Sequence, residues 1–184
     1  AYLEKETNIK TFIKNILIVY FSNFIGALII AYAVNKSGSL NYSEGMLGAY
    51  TIKTAAAKLS LGFSTAFFSG ILCNILVCLA VLMSLISTST VGKILSIFFP
   101  IFLFVISGFE HSVANMYYIP AGMMALKEPL YVQKAIDIYH TTIAQIDSLS
   151  IINMINKNLI PVSLGNLVGG SLVVSGFLYI TRKK

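Results

Sequence analysis

A carboxyl group, an imidazole and an amide stand together in the run Ser107-Gly108-Phe109-Glu110-His111-Ser112-Val113-Ala114-Asn115. The run lies inside an apolar segment that extends from Phe98 to Leu126. Ionisable groups at membrane depth are costly, so they face a bundle interior or a water-filled path. His111 can exchange a proton near neutral pH, since imidazole ordinarily titrates near 6.5. Four residues separate His111 from Asn115, which puts both on one helix face, and both are expected to line a pore. Ser107-x-x-Glu110 has the form of a capping box. A helix that starts halfway across a bilayer aims the positive end of its dipole at the midplane, an arrangement that suits small anions. A carboxylate pointed into an anion path would repel its cargo. Glu110 is therefore expected to bond backbone N–H groups at the helix start and to tune His111 electrostatically.

The elements that must hold these groups are membrane helices. Of 184 residues, 57% are hydrophobic and 11% charged, against about 25% charged in soluble domains. The net charge of +6 is modest and dispersed. Lys5, Lys10 and Lys14 at one end and Arg182, Lys183 and Lys184 at the other read as cytoplasmic juxtamembrane anchors rather than a nucleic-acid surface. The polar start, Ala1 to Lys14, does not resemble a secretory signal. Cys73 and Cys78 are five apart in an apolar run and read as small packing residues, with neither a metal site nor a disulfide between them. No cofactor is implied.

A spanning helix needs about 20 apolar residues, and four candidate spans follow: Phe12 to Val34, Ala55 to Ile86, Ile94 to Leu126 and Leu159 to Ile180. Asn35 to Lys53 reads as a polar loop. The second span is over-long, and its first turns, around Lys58, are expected to project into a vestibule. The third would be roughly 50 Å if straight, which exceeds the hydrocarbon core, and Ser107-Gly108 is where it should break. Lys127 to Asn158 reads as a loop with one or two short amphipathic helices. Pro161 is expected in the first turn of the last span, where its missing N–H costs nothing. Both ends are placed in the cytoplasm.

The run Val19-Tyr20-Phe21-Ser22-Asn23-Phe24-Ile25-Gly26-Ala27-Leu28 matches Val162-Ser163-Leu164-Gly165-Asn166-Leu167-Val168-Gly169-Gly170-Ser171. Three crossings separate the two, so a true repeat would have inverted topology. The last span would then be the third helix of its half. The first span would be a third helix too, with two helices expected ahead of Ala1 and the chain truncated at its N-terminus.

Gly70-Ile71-Leu72-Cys73-Asn74-Ile75-Leu76-Val77-Cys78-Leu79-Ala80, Ser107 to Met116 with Ile119-Pro120, and Asn158-Leu159-Ile160-Pro161-Val162 with Gly165-Asn166 resemble the formate/nitrite transporter family of bacterial anion channels, which includes hydrosulfide channels. The resemblance covers essentially the whole chain. It implies an all-α membrane protein, an aquaporin-like inverted-repeat bundle. Four of the family's six transmembrane segments are present, and the third of these is broken mid-membrane. The whole of 1–184 would be one channel domain. The absent first helices would carry the mobile loop whose Leu and Thr narrow the pore. The resemblance further implies a homopentamer with a pore in each protomer, sited in the bacterial inner membrane. Formate, nitrite, hydrosulfide and protons would be its partners in transit.

By resemblance, Phe104 is an apolar constriction, with Val77 contributing to the same neck. Lys58, Asn74 and Glu110 form a linked set beside the pore. An amide such as Asn74 in mid-span can also simply bridge helices or bond Glu110 or Lys58, and Lys58 can snorkel to the interface. No substrate bond is broken, so no enzyme is implied. An aquaporin-like channel for water or neutral solutes would be expected to show two Asn-Pro-Ala tripeptides, and none occurs. A haem protein using His111 and His140 would need His140 on a span, and it falls in the polar loop. A non-transporting scaffold would show no flux.

Overall fold

The computed structural model describes residues 8–182, without the side chain of Arg182. Of the basic ends, Lys5, Lys183 and Lys184 therefore lie outside the described residues. Those described form helices and no strand: α1 (Ile9–Lys36), α2 (Tyr42–Leu59), α3 (Phe63–Ile86), α4 (Thr90–Ile106), α5 (Ser112–Ala125), α6 (Pro129–Asp137), α7 (Ile143–Asp147) and α8 (Ile151–Thr181). Helices α1, α3 and α8 are long and apolar enough to cross a membrane, and α4 is a shorter apolar helix. The chain divides into two compact units, one reaching to Ala56 with Met116–Ile146 added, the other Ala57–Asn115 with Asp147 onward.

The first unit corrects the reading of residues 35–53 as a loop. Most of that stretch is α2, whose buried residues Ala49, Ile52, Ala55 and Ala56 recur at helical spacing. Its glycines mark close approach. A Cβ on Gly48 would meet the Tyr131 ring at 2.5 Å, and one on Gly122 would strike the Ala55 side chain. The helix is entered through a left-handed turn at Ser43, Glu44 and Gly45, with φ of 54°, 57° and 86°. Two bonds from α6 hold that entry: Lys134 Nζ donates to the Glu44 carbonyl at 2.6 Å, and Tyr131 Oη donates to Asn41 Oδ1 at 2.6 Å.

In the second unit α8 lies against α3. Ala66, Gly70, Cys73 and Ala80 form the buried stripe of α3. From α8, Gly165 and Gly169 come so close that a Cβ on either would collide with the carbonyls of Phe67 and Ile71. Such small-residue contacts are how membrane helices approach when apolar burial gives no drive. None of the residues of α4 is buried, and its apolar side chains Phe98, Phe99, Phe102 and Val105 are exposed.

Two span boundaries differ from expectation. The predicted second span is interrupted at residues 60–62, where α2 ends and Gly62 opens α3. Lys58 therefore sits in the last turn of α2. The last span begins eight residues early, because Met154–Leu159 continues the helix as a wide π-type turn and Val168–Val174 forms a second. The first of these turns lies directly ahead of Pro161. Widening the helix there gives room where the proline ring would crowd the preceding turn.

Candidate functional site

The residues expected at or beside the pore, Lys58, Asn74, Val77, Phe104, Glu110, His111 and Asn115, all fall in the second unit. The break that organises them has a local cause. Gly108 adopts φ +68°, the Gly108 N–H donates to the Val105 carbonyl at 3.1 Å, and the Phe109 N–H reaches back to Phe104 at 3.1 Å. This pair of bonds around a left-handed glycine is a Schellman motif, which stops α4. Ser107 is thus the C-cap of α4. Helix α5 starts four residues later than the capping-box reading places it, and Glu110 has other work.

His111 begins the new helix. Its Nδ1 accepts the Ala114 N–H at 3.3 Å, and its carbonyl accepts the Asn115 N–H at 2.9 Å. With Nδ1 accepting, the neutral ring carries its hydrogen on Nε2. That N–H has no hydrogen-bond partner among the described residues. The half-buried ring has its centroid 5.9 Å from that of Phe104. A second capping side chain comes from α8: Asn166 Oδ1 accepts the Ser112 N–H at 2.9 Å. The amide's other end donates to the carbonyls of Glu110 at 3.0 Å and Gly70 at 2.9 Å. One buried Asn therefore ties α3, α5 and α8 together.

Glu110 is 4% exposed and is bonded at every polar atom. Its N–H donates to Ser69 Oγ at 3.0 Å, and Asn166 donates to its carbonyl. Lys58 Nζ lies 2.9 Å from Oε1. Oε2 accepts from Asn115 Nδ2 at 2.6 Å and from Asn158 Nδ2 at 3.2 Å. A buried ion pair is held against its desolvation cost only by such additional hydrogen bonds.

Asn115 is fully buried, bonded to Glu110 and, through Nδ2, to Asn158 Oδ1 at 2.7 Å. Its own Oδ1 has no partner. Asn74 does not bond Glu110 or Lys58; its Nδ2 donates to the Asn166 carbonyl, and Cys78 Sγ lies 3.9 Å from its Oδ1. Val77 is half-buried on α3, three residues beyond Asn74. Both cysteines are free.

Three participants were not singled out from the sequence: Ser69, Asn158 and, as a cap, Asn166. For the two asparagines the signal was present, since an amide in an apolar span demands partners. Nothing in the sequence said which partners those were.

The profile described as "Formate/nitrite transporter" matches residues 1–180. Among curated proteins, the chain is 40% identical over 173 residues to the formate channel FocA of Haemophilus influenzae, covering 92% of this chain and 60% of that one. It is 38% identical to FocA of Escherichia coli (strain K12), covering 88% of this chain and 56% of the other. The chain thus spans under two thirds of the length of these relatives. Among solved structures, a pentameric formate channel with formate bound superposes with a TM-score of 0.84 at 34% identity, covering 95% of this chain and 68% of its own. An FNT family ion channel gives 0.63 at 30% identity, covering 88% and 56% respectively. With most of its length matched by the family profile, and with several apolar helices, this multi-pass membrane chain belongs to the formate/nitrite transporter family.

Proposed function

We propose that the protein carrying these residues conducts formate and related small monovalent anions of weak acids, nitrite and hydrosulfide among them. The path is a pore in each protomer of a homopentamer in the bacterial inner membrane, with both ends of this segment cytoplasmic. The observation that carries the reading is the unshared Nε2–H of His111 at the start of a helix inside a broken apolar segment. An anion beside the Phe104 ring sheds water at a cost, and the positive end of α5 together with the imidazole N–H offsets that cost. If His111 lends a proton, a neutral acid crosses the neck instead. Lys58 attracts anions and holds Glu110. Asn115 keeps that pair in place, Asn74 acts through Asn166 on the start of α5, and Val77 narrows the neck. Formate channels among the relatives support this cargo, whereas a water channel has no such support.

The test is flux in liposomes reconstituted with the full-length protein. His111→Phe keeps the apolar shape and removes the donor. Formate flux is expected to fall at least tenfold and to lose its pH dependence. Unchanged flux with an unchanged pH profile would remove His111 from the mechanism.

A further inference from the structure

We infer that Asn23 of α1 is a positioning residue whose amide caps and ties a second broken helix, carried by the same polypeptide ahead of Ala1, as Asn166 of α8 ties α5. The inference goes beyond the proposed function and does not depend on it, since it concerns what packs on α1 and not what crosses the membrane.

The matched runs of α1 and α8 set the comparison. Asn23 stands where Asn166 stands, Gly26 where Gly169 stands, and Ala27 where Gly170 stands. In α8 each of these positions is in contact with a neighbour. Asn166 Oδ1 accepts the Ser112 N–H at the start of α5, and its Nδ2 donates to the carbonyls of Glu110, just ahead of that start, and of Gly70 on α3. One turn on, Gly169 lies against the Ile71 carbonyl, and Gly170 faces Asn74 and Cys78. The amide holds the break, and the glycines let α3 come close.

In α1 the same face is exposed. Ala31 is the buried residue of this helix. Asn23 is exposed, and its side chain has no hydrogen-bond partner among the described residues. A Cβ on Gly26 would meet nothing within 4 Å. Asn23 lies at the middle of a 28-residue helix apolar enough to cross a membrane, where no water is at hand to bond it. An amide left in hydrocarbon without a partner is costly. Nearer the end of the same helix, Asn35 has partners: its Nδ2 donates to the carbonyls of Ala31 at 3.0 Å and Ala121 at 3.3 Å. Acyl chains can cover Phe21, Ile25 and Ile29, which are exposed along the opposite side of α1, but they offer Asn23 neither donor nor acceptor.

The partner of Asn23 must bring backbone N–H and C=O groups to mid-span. An unbroken helix has those groups bonded within itself, whereas a break leaves the last carbonyls of one half and the first N–H groups of the next without partners. The order of elements says where such a helix belongs. In the described half, α3 and the broken pair α4 and α5 precede α8, so their counterparts precede α1. The curated relatives have length for them, since the matched part is 60% of the Haemophilus influenzae protein and 56% of the Escherichia coli one.

The experiment uses the full-length protein in lipid. A photoreactive diazirine side chain is placed at position 27, one turn from Asn23 on the same face, with Asn23 intact. The crosslink is expected to reach a residue ahead of Ala1 and to stay at single-chain mass on a denaturing gel. A link to a second copy, at twice that mass, or to lipid alone overturns the inference. Hydrogen exchange then reads the cap. Asn23→Leu is expected to speed exchange about fivefold in the first turn of one helix ahead of Ala1 and to leave the first turn of α5 unchanged, while Asn166→Leu does the reverse. Unchanged exchange ahead of Ala1, or faster exchange in all helices alike, overturns the cap. If Asn23→Leu does not fold, the crosslink decides alone. Neither arm measures flux, so failure here leaves the conduction proposal standing.

Discussion

At the scale of single residues, the buried ion pair is where removal of one partner costs most. Glu110→Ala takes the carboxylate away from the Lys58 ammonium and from two amide donors, Asn115 Nδ2 and Asn158 Nδ2. Breaking a buried pair in this way costs about 3–5 kcal/mol, and denaturant titration of the purified protein in detergent measures it. Asn166→Leu is a separate case with no charge involved. It orphans the Ser112 N–H and the Glu110 carbonyl and removes the second donor to the Gly70 carbonyl, at about 1–3 kcal/mol for each group left unpaired. The same titration checks it, and faster hydrogen exchange is expected at the first turn of α5. These two asparagine sites also mark how far residue types alone could lead. Asn166 was legible as a small-residue motif partner and Asn158 as part of a family run. An amide side chain is equally able to donate and accept, so only its neighbours decide what it does.

At the scale of elements, two glycines separate backbone need from packing need. Gly108 sits at φ +68° with nothing near the position of a Cβ. Gly108→Ala is therefore expected to cost only the left-handed conformation, about 1–2 kcal/mol. Gly165→Ala would press a methyl group onto the Phe67 carbonyl, and since backbone cannot yield as a side chain can, α8 must lift from α3. The expected order of melting temperatures in detergent is wild type, then Gly108→Ala, then Gly165→Ala. The break at Ser107-Gly108 was readable because a left-handed glycine has a sequence signature. The start of α5 was misread because Ser107 and Glu110 have the spacing of a capping box. The residues that in fact serve its first turn are His111, on the spot, and Asn166, 54 positions away. Helix α2 was missed because alanine and glycine carry a weak apolar periodicity, although its glycines are the seats of Tyr131 and its alanines are buried. The first π-type turn of α8 lies just ahead of Pro161, but a proline marks a disturbed helix without saying that the turn before it widens.

At the scale of the whole molecule, α1 and α4 expose aliphatic and aromatic side chains along their length, surfaces that suit hydrocarbon or a neighbouring subunit. If the proposed assembly is right, native mass spectrometry of the full-length protein in detergent gives five copies. A panel of formate, nitrite, hydrosulfide, lactate and chloride in liposomes is expected to show flux of the small weak-acid anions well above chloride. Equal flux of chloride would contradict a path that relies on proton exchange at His111. Composition and apolar run lengths alone determined that the chain is a helical membrane protein, because the lack of water in a bilayer leaves backbone groups few other ways to be satisfied. The Glu110-His111 cluster and the interruption beside it were determined there as well, for charge in an apolar run and a left-handed glycine are local statements. What tertiary structure alone decided was the use of each polar group: that Glu110 accepts at both oxygens, that Asn115 turns away an unpaired oxygen, and that two amides of α8 serve the ends of α2 and α5. Hydrogen bonds are directional and short, so which donor meets which acceptor is settled only when helices far apart in sequence come within 3 Å of one another.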